Sequence, residues 1–145
     1  MIALASDHAG FEYKERLKGV LTSLGLSYRD FGTASQEASD YPIFAHAAAA
    51  AVSTGECERG ILLCGTGIGM SIVANKHPGV RAAACQCVEA ARLGRLHNDA
   101  NVLAIGGRLT DWATAEAIVR EFLTTPFEGG RHERRVELIH TLTNL

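Results

Sequence analysis

The run Gly60-Ile61-Leu62-Leu63-Cys64-Gly65-Thr66-Gly67-Ile68-Gly69-Met70-Ser71 constrains the fold more than any other stretch. Its unbroken apolar half is the pattern of a strand buried on both faces, as in a parallel sheet. The glycines that follow mark a tight turn, and the residues after them continue as a helix. Parallel strands are joined by crossovers, so strands and helices should alternate along the chain.

They do. Ile2 to Ser6 reads as a first buried strand ending at Asp7-His8-Ala9-Gly10. A helix follows with Tyr13, Leu17, Val20, Leu21 and Leu24 on one face, Lys14, Glu15, Arg16 and Lys18 on its wet side, and Gly25 as its stop. Leu26 to Phe31 forms a second strand, and Asp40-Tyr41-Pro42 opens an alanine-rich helix that reaches about Thr54. Arg59 to Cys64 is the third strand, followed by a helix from Gly67 to Lys76. Val80 to Cys85 is the fourth strand, with a helix from Val88 to Arg95. Val102 to Ile105 is the fifth, closing in Gly106-Gly107-Arg108. Thr110 or Asp111 caps a helix carrying Trp112, Ala115, Val119 and Phe122. A last helix starts near Arg131. The expected fold is a three-layer α/β/α sandwich, a Rossmann-like five-stranded parallel sheet with a C-terminal helix, forming one domain over residues 1–145. Ligands bind such sheets beyond the carboxyl ends of the strands, where Asp7-His8, Cys64-Gly65-Thr66 and Gly107-Arg108 gather.

Composition removes several classes of function. The net charge is −2 with scattered basic residues, which is no footprint for nucleic acid or a membrane surface. No apolar stretch approaches the roughly 20 residues of a membrane span. Cys57, Cys64, Cys85 and Cys87 form no C-x-x-C pair, which disfavours a zinc site or a disulfide framework and points to a reducing, cytoplasmic compartment.

The glycine turn fits no standard phosphate loop. The third glycine of a dinucleotide fingerprint falls one residue early, at Gly69, and Gly69-Met70-Ser71 lacks the lysine of a nucleotide loop. A cysteine-dependent phosphatase needs an arginine where Met70 stands. What remains is a thiol beside free amides at a helix start, a setting that favours thiolates and suits a general base next to a developing oxyanion. The same spacing also suits a small buried hydrophobe at a strand end. Arg131 and Arg135, one helical turn apart, can clamp a phosphate or carboxylate, or else form a solvated basic helix end paired with Glu133 and Glu137. His97 is able to move a proton near neutral pH, or is a surface loop histidine before the fifth strand. His8 meets a phosphate or hydroxyl, or holds a turn with Asp7; His46, His77, His132 and His140 read as background.

Taken in order, Ser6-Asp7-His8-Ala9-Gly10-Phe11, Asp40-Tyr41-Pro42, Gly60 to Gly69, Ala74-Asn75-Lys76, Arg81-Ala82, His97 to Leu103, Gly106-Gly107-Arg108 and Glu128 to His132 resemble the ribose-5-phosphate isomerase B family, which includes allose- and galactose-6-phosphate isomerases. The set spans nearly the whole chain. The resemblance implies an aldose–ketose isomerase for ribose 5-phosphate and ribulose 5-phosphate in the non-oxidative pentose phosphate pathway, with no cofactor and no metal. It implies Cys64 as the base, Thr66 at the substrate oxygens, and amides from Gly65 through Gly67, Ile68 and Gly69 around the enediolate. His97 would open the sugar ring with Asn98 beside it, Asp7 and His8 would line the pocket, and Arg131 and Arg135 would bind phosphate with Arg108 nearby. Members that lack the cysteine use a glutamate further along the helix; Ile68 to Ser71 hold no acid. The resemblance also implies a homodimer or a dimer of dimers with shared sites. A hexose-6-phosphate isomerase and a non-catalytic sugar-phosphate-binding module are the competing readings.

Overall fold

The computed structural model describes residues 1–145. The elements are β1 (Ile2–Ser6), α1 (Phe11–Ser23), β2 (Tyr28–Asp30), α2 (Tyr41–Ser53), β3 (Arg59–Cys64), α3 (Ile68–Ala74), β4 (Ala82–Ala84), α4 (Val88–Asn98), β5 (Val102–Gly106), α5 (Trp112–Thr124) and α6 (Arg131–Thr143). All five strands are parallel, in the order β2-β1-β3-β5-β4. The expected α/β sandwich and its C-terminal helix are what the chain forms.

Side-chain parity along the central strands builds two cores. Ile61 and Leu63 of β3 join Leu4, Leu103 and Ile105 under α1, α4 and α5. Leu62 and Cys64 point the other way, with Ala3, Ala5 and Ala104, toward α2 and α3. This second layer is thin because α2 presents Ala45, Ala48, Ala49 and Ala51, all buried, to the sheet. Helices α1 and α2 therefore lie on opposite faces, and the topological switch falls between β1 and β3. The loops after those two strands open side by side at the carboxyl edge, where this architecture takes ligands.

Several boundaries differ from expectation for local reasons. Strands β2 and β4 pair on one side only and keep three residues each as ladder, shorter than Leu26–Phe31 and Val80–Cys85. Helix α4 runs on past Arg95 to Asn98, and Asp99 ends it in a left-handed conformation (φ 46°). His97 and Asn98 thus sit in a last helical turn, not in a loop. Of the two capping candidates for α5, Asp111 does the work, its Oδ1 accepting the Thr114 N–H at 2.8 Å. No helix is long and apolar enough to cross a membrane.

Lys14 corrects the reading of α1, because it is fully buried and not on the wet face. Its Nζ donates to Asp30 Oδ2 at 2.6 Å, and Lys18 reaches the same oxygen at 2.8 Å. Burial alone would raise the Asp30 carboxyl, but hydrogen bonds from Lys14 and Lys18 outweigh it and hold the group below its usual range. A carboxyl depressed on folding stabilises the native state above its unfolded value and loses that contribution as pH falls through the folded one. Asp30→Asn leaves the buried ammonium with Glu15 at 3.6 Å as its remaining carboxylate. The variant should lose about 2 kcal/mol in urea unfolding near neutral pH. Its stability should also fall less steeply than that of the parent between about pH 5 and about pH 3, where carboxylates titrate.

Candidate active site

The turn after β3 is assembled by its own backbone. Cys64 is 5% exposed, and its Sγ accepts the Gly67 N–H at 3.1 Å. Gly67 makes this contact at φ 79°, and a Cβ there would stand 2.9 Å from the Ile105 carbonyl carbon. Thr66 Oγ1 accepts the Ile68 N–H at 3.2 Å. The N–H groups of Gly65, Thr66 and Gly69 take no acceptor within the chain, and these residues line one cavity with Cys64. The free amides suit an oxyanion held near the sulfur.

The neighbouring turn holds this one in place. The Gly107 N–H donates to the Cys64 carbonyl at 2.8 Å and the Arg108 N–H to the Gly65 carbonyl at 3.0 Å. Gly106 permits the approach, since a Cβ on it would lie 2.6 Å from the Thr66 carbonyl carbon. Asp7 closes the floor, its Oδ1 accepting the N–H groups of Ala9 and Gly10 at 2.9 and 3.1 Å. The resulting cavity of about 430 Å³ is lined by Asp7, Cys64, Gly65, Thr66, Ile68, Gly69 and Arg108, with Tyr41 and Ile72 at its side.

A second cavity, of about 450 Å³, lies between α4 and α6. It brings together His97, Asn98, Arg131 and Arg135, the two arginines on one side of α6 as their spacing suggested, and adds His132, Val136 and Ile139. Consecutive positive-φ glycines, Gly129 at 69° and Gly130 at 57°, turn the chain into α6. The Glu128 N–H ties this entry to the Leu96 carbonyl of α4 at 3.1 Å. The His97 and His132 rings stack at 4.3 Å and 17°. Glu128 Oε2 lies 3.8 Å from His97 Nε2 and 3.9 Å from His132 Nε2. Burial, and then the neighbouring His97, push the His132 imidazole below its usual value, and its Nε2 is buried without a hydrogen-bond partner. These three residues place a ligand atom each within 4.8 Å of the others. Imidazole lone pairs lie in the ring plane, so two nearly parallel stacked rings do not converge on one ion. Beside two guanidiniums, the arrangement suits an oxyanion better than a metal.

The two cavities share no lining residue. Helix α4 runs antiparallel to the strands, so Asn98 ends near Val102, which pairs with Gly60 at the start of β3. Cys64 pairs with Gly106 at the other end. The length of the ladder, about 13 Å at strand rise, separates the two clusters within one chain.

Two further placements bear on the sequence reading. Arg108 faces the Cys64 cavity, with its side chain against Gly65, and does not stand beside Arg131 and Arg135 of the same chain. His8 does not line the cavity, because its Nδ1 accepts the Ser39 N–H and its own N–H donates to Ser39 Oγ, both at 3.1 Å. The sequence reading also missed two residues. Tyr41, read only as a helix opener, lies over the turn so closely that a Cβ on Gly69 would meet its ring at 2.6 Å. His132, set aside as background, belongs to the stripe His132, Arg135, Val136, Ile139, whose i, i+3, i+4, i+7 spacing was a usable signal.

Comparison with known proteins decides the family. The family described as Ribose/Galactose Isomerase matches residues 2–139. The chain belongs to that family. Ribose-5-phosphate isomerase B of Escherichia coli (strain K12) is 47% identical over 138 residues, covering 95% of this chain and 93% of that protein. The structure of ribose-5-phosphate isomerase B from Clostridium thermocellum superposes with a TM-score of 0.96 at 46% identity, covering 99% of this chain and 97% of the other. A Mycoplasma genitalium relative, solved with bound ribulose-5-phosphate, gives 0.94 at 37% identity, covering 99% and 95%. This chain is accordingly an isomerase.

The close packing of the two turns has a direct consequence. Gly106→Ala should force the Thr66 backbone away and open the amide cluster. Far-ultraviolet circular dichroism should stay native while isomerase turnover falls about a hundredfold, the scale of one misplaced donor.

Proposed function

We propose that the chain interconverts ribose 5-phosphate and ribulose 5-phosphate, as a step of non-oxidative pentose phosphate metabolism. The observation that carries this reading is the Cys64 sulfur, held by the Gly67 N–H amid the unengaged amides of Gly65, Thr66 and Gly69. Cys64, as thiolate, takes the proton from C2 of the open-chain aldose. The electron pair moves into a C1–C2 double bond, and charge collects on the C1 oxygen of a cis-enediolate. The three amides hold that charge, and Thr66 passes a proton between the two oxygens. Return of the thiol proton to C1 completes the ketose, so no redox cofactor enters the balance. His97 protonates the ring oxygen to open the furanose, Asn98 holds a sugar hydroxyl, and Arg131 and Arg135 fork the phosphate.

These groups cannot meet within one chain, so the reading includes a homodimer in which one protomer's His97 and arginines serve the partner's Cys64. Exposed apolar side chains support such a contact. Ile68 and Ile72 are 50% and 56% exposed beside the Cys64 cavity, while Ile139 and Leu142 are 41% and 77% exposed on α6. A two-fold axis would set each pair against the other twice. The four cysteines are free, as a reducing cytoplasm requires.

Cys64→Ala should lower kcat about 10³-fold with little change in KM, since proton transfer is lost and phosphate binding kept. Near-parental turnover would sink the assignment. His97→Asn should cost the cyclic aldose more than the ketose, which needs no furanose opening. The shared site has its own test by mixing. Cys64→Ala and His97→Asn chains, unfolded and refolded together in equal amounts, should regain about a quarter of parental activity, because half the dimers carry one intact site. Absence of recovery in mixed dimers of confirmed composition would place both groups' work in a single chain.

A further inference from the structure

A third cavity, of about 250 Å³, lies at the foot of the sheet and has no apolar lining residue. Arg59, Arg81 and Arg95 form its cationic wall, with Glu58, Asp99 and Asn101 as the remaining lining. Neither functional cluster described above uses it.

The three guanidiniums are fixed by backbone and ring contacts, not by a matching set of acids. Arg95 is 4% exposed; its Nε donates to the Thr125 carbonyl at 3.0 Å, and its Nη1 to Asp99 Oδ1 at 2.8 Å and to the Ala100 carbonyl at 2.6 Å. Arg59 Nη1 donates to the carbonyls of Phe122 and Leu123 at 3.0 and 3.1 Å. Both guanidiniums rest on the fully buried Phe122 ring, their carbons 5.9 and 5.8 Å from its centre. Arg81 spends its contacts on the carbonyls of Gly79, Asn98 and Asp99, on His140 and on Asp99 Oδ2. Asp99 therefore answers two arginines at once, and Glu58 is exposed and ion-paired with none.

This leaves directed donors. Arg59 Nε, Arg59 Nη2 and Arg95 Nη2 have no acceptor in the chain, and none of them is sealed from solvent. Burial and the adjacent Arg95 charge hold the Arg59 guanidinium below its usual value, as expected for like charges pressed together. Pre-positioned guanidinium forks with surplus positive charge recognise phosphoryl oxygens.

We infer that this polar cavity is an anion site for a compact diphosphate group, whether free pyrophosphate or the diphosphate of a nucleotide. An anion held there bridges the start of β3 to the α4–β5 junction, next to the helical turn that carries His97 and Asn98.

The test is calorimetric titration of inorganic pyrophosphate into the full chain carrying Arg131→Ala and Arg135→Ala, which removes the other arginine pair. One pyrophosphate should bind per chain. Adding Arg59→Gln should weaken binding about tenfold or more, and Glu58→Gln, which removes a facing carboxylate, should tighten it severalfold. A native circular dichroism spectrum qualifies each variant, and Glu58→Gln decides the matter if Arg59→Gln fails to fold. No saturable binding below about 1 mM, or affinities indifferent to both substitutions, overturns the inference. A parallel titration with adenosine diphosphate separates the sources: tighter binding than pyrophosphate identifies a nucleotide diphosphate, and equal or weaker binding identifies the free anion.

Discussion

The hydrogen bonds that join the turn after β3 to the turn after β5 are the contact on which the rest depends. The Cys64 and Gly65 carbonyls are both consumed by N–H groups of Gly107 and Arg108. With those carbonyls taken by the neighbouring strand, the N–H groups of Gly65, Thr66 and Gly69 are left without an acceptor in the chain. A cluster of unengaged amides is costly in a folded chain unless water or a ligand meets them. The parallel register makes it affordable here, because β3 and β5 end level, Cys64 against Gly106. Parity settles the remaining question of direction. Cys64 has the parity of Leu62, so it faces α2 and α3, whereas Leu63 faces α1 and α5.

The same parallel architecture that forms this site also divides the chemistry. A crossover helix returns to the foot of the sheet, so the end of α4 and the start of α6 are held far from the carboxyl edge. The His97 and arginine cluster is well built, with stacked rings and a glycine-shaped entry to α6, yet it faces away from the sulfur it resembles a partner for. Under the proposed function the two clusters would be half-sites, which an isologous pair can make whole because a two-fold axis sets each against the other.

Much of this was legible in the sequence where a local rule acts alone. The apolar run to Cys64, the glycine turn, the alanine-rich helix and the one-turn spacing of Arg131 and Arg135 each follow from periodicity or turn chemistry. Legibility failed where a tertiary partner decides. Lys14 looks like a surface residue until Asp30 supplies its counter-ion from β2. His132 is one histidine among six until His97 stacks on it. Tyr41 opens a helix by local rules, and only the packing of α2 on the sheet carries its ring to Gly69. Edge strands were overextended because apolar pattern does not reveal that a second pairing partner is missing.

The alanine face of α2 has a consequence for the shape of the Cys64 cavity. Methyl groups at positions 45, 48, 49 and 51 are the shortest spacers that still exclude water, so the helix axis lies near its minimum distance from the sheet. Tyr41 at the head of that helix inherits the height. Bulkier spacers would raise the whole rod and, with it, the aromatic ring that lies against Gly69 at the side of the cavity. The calibre of the opening is thus set along the length of a helix whose interior side chains never touch it.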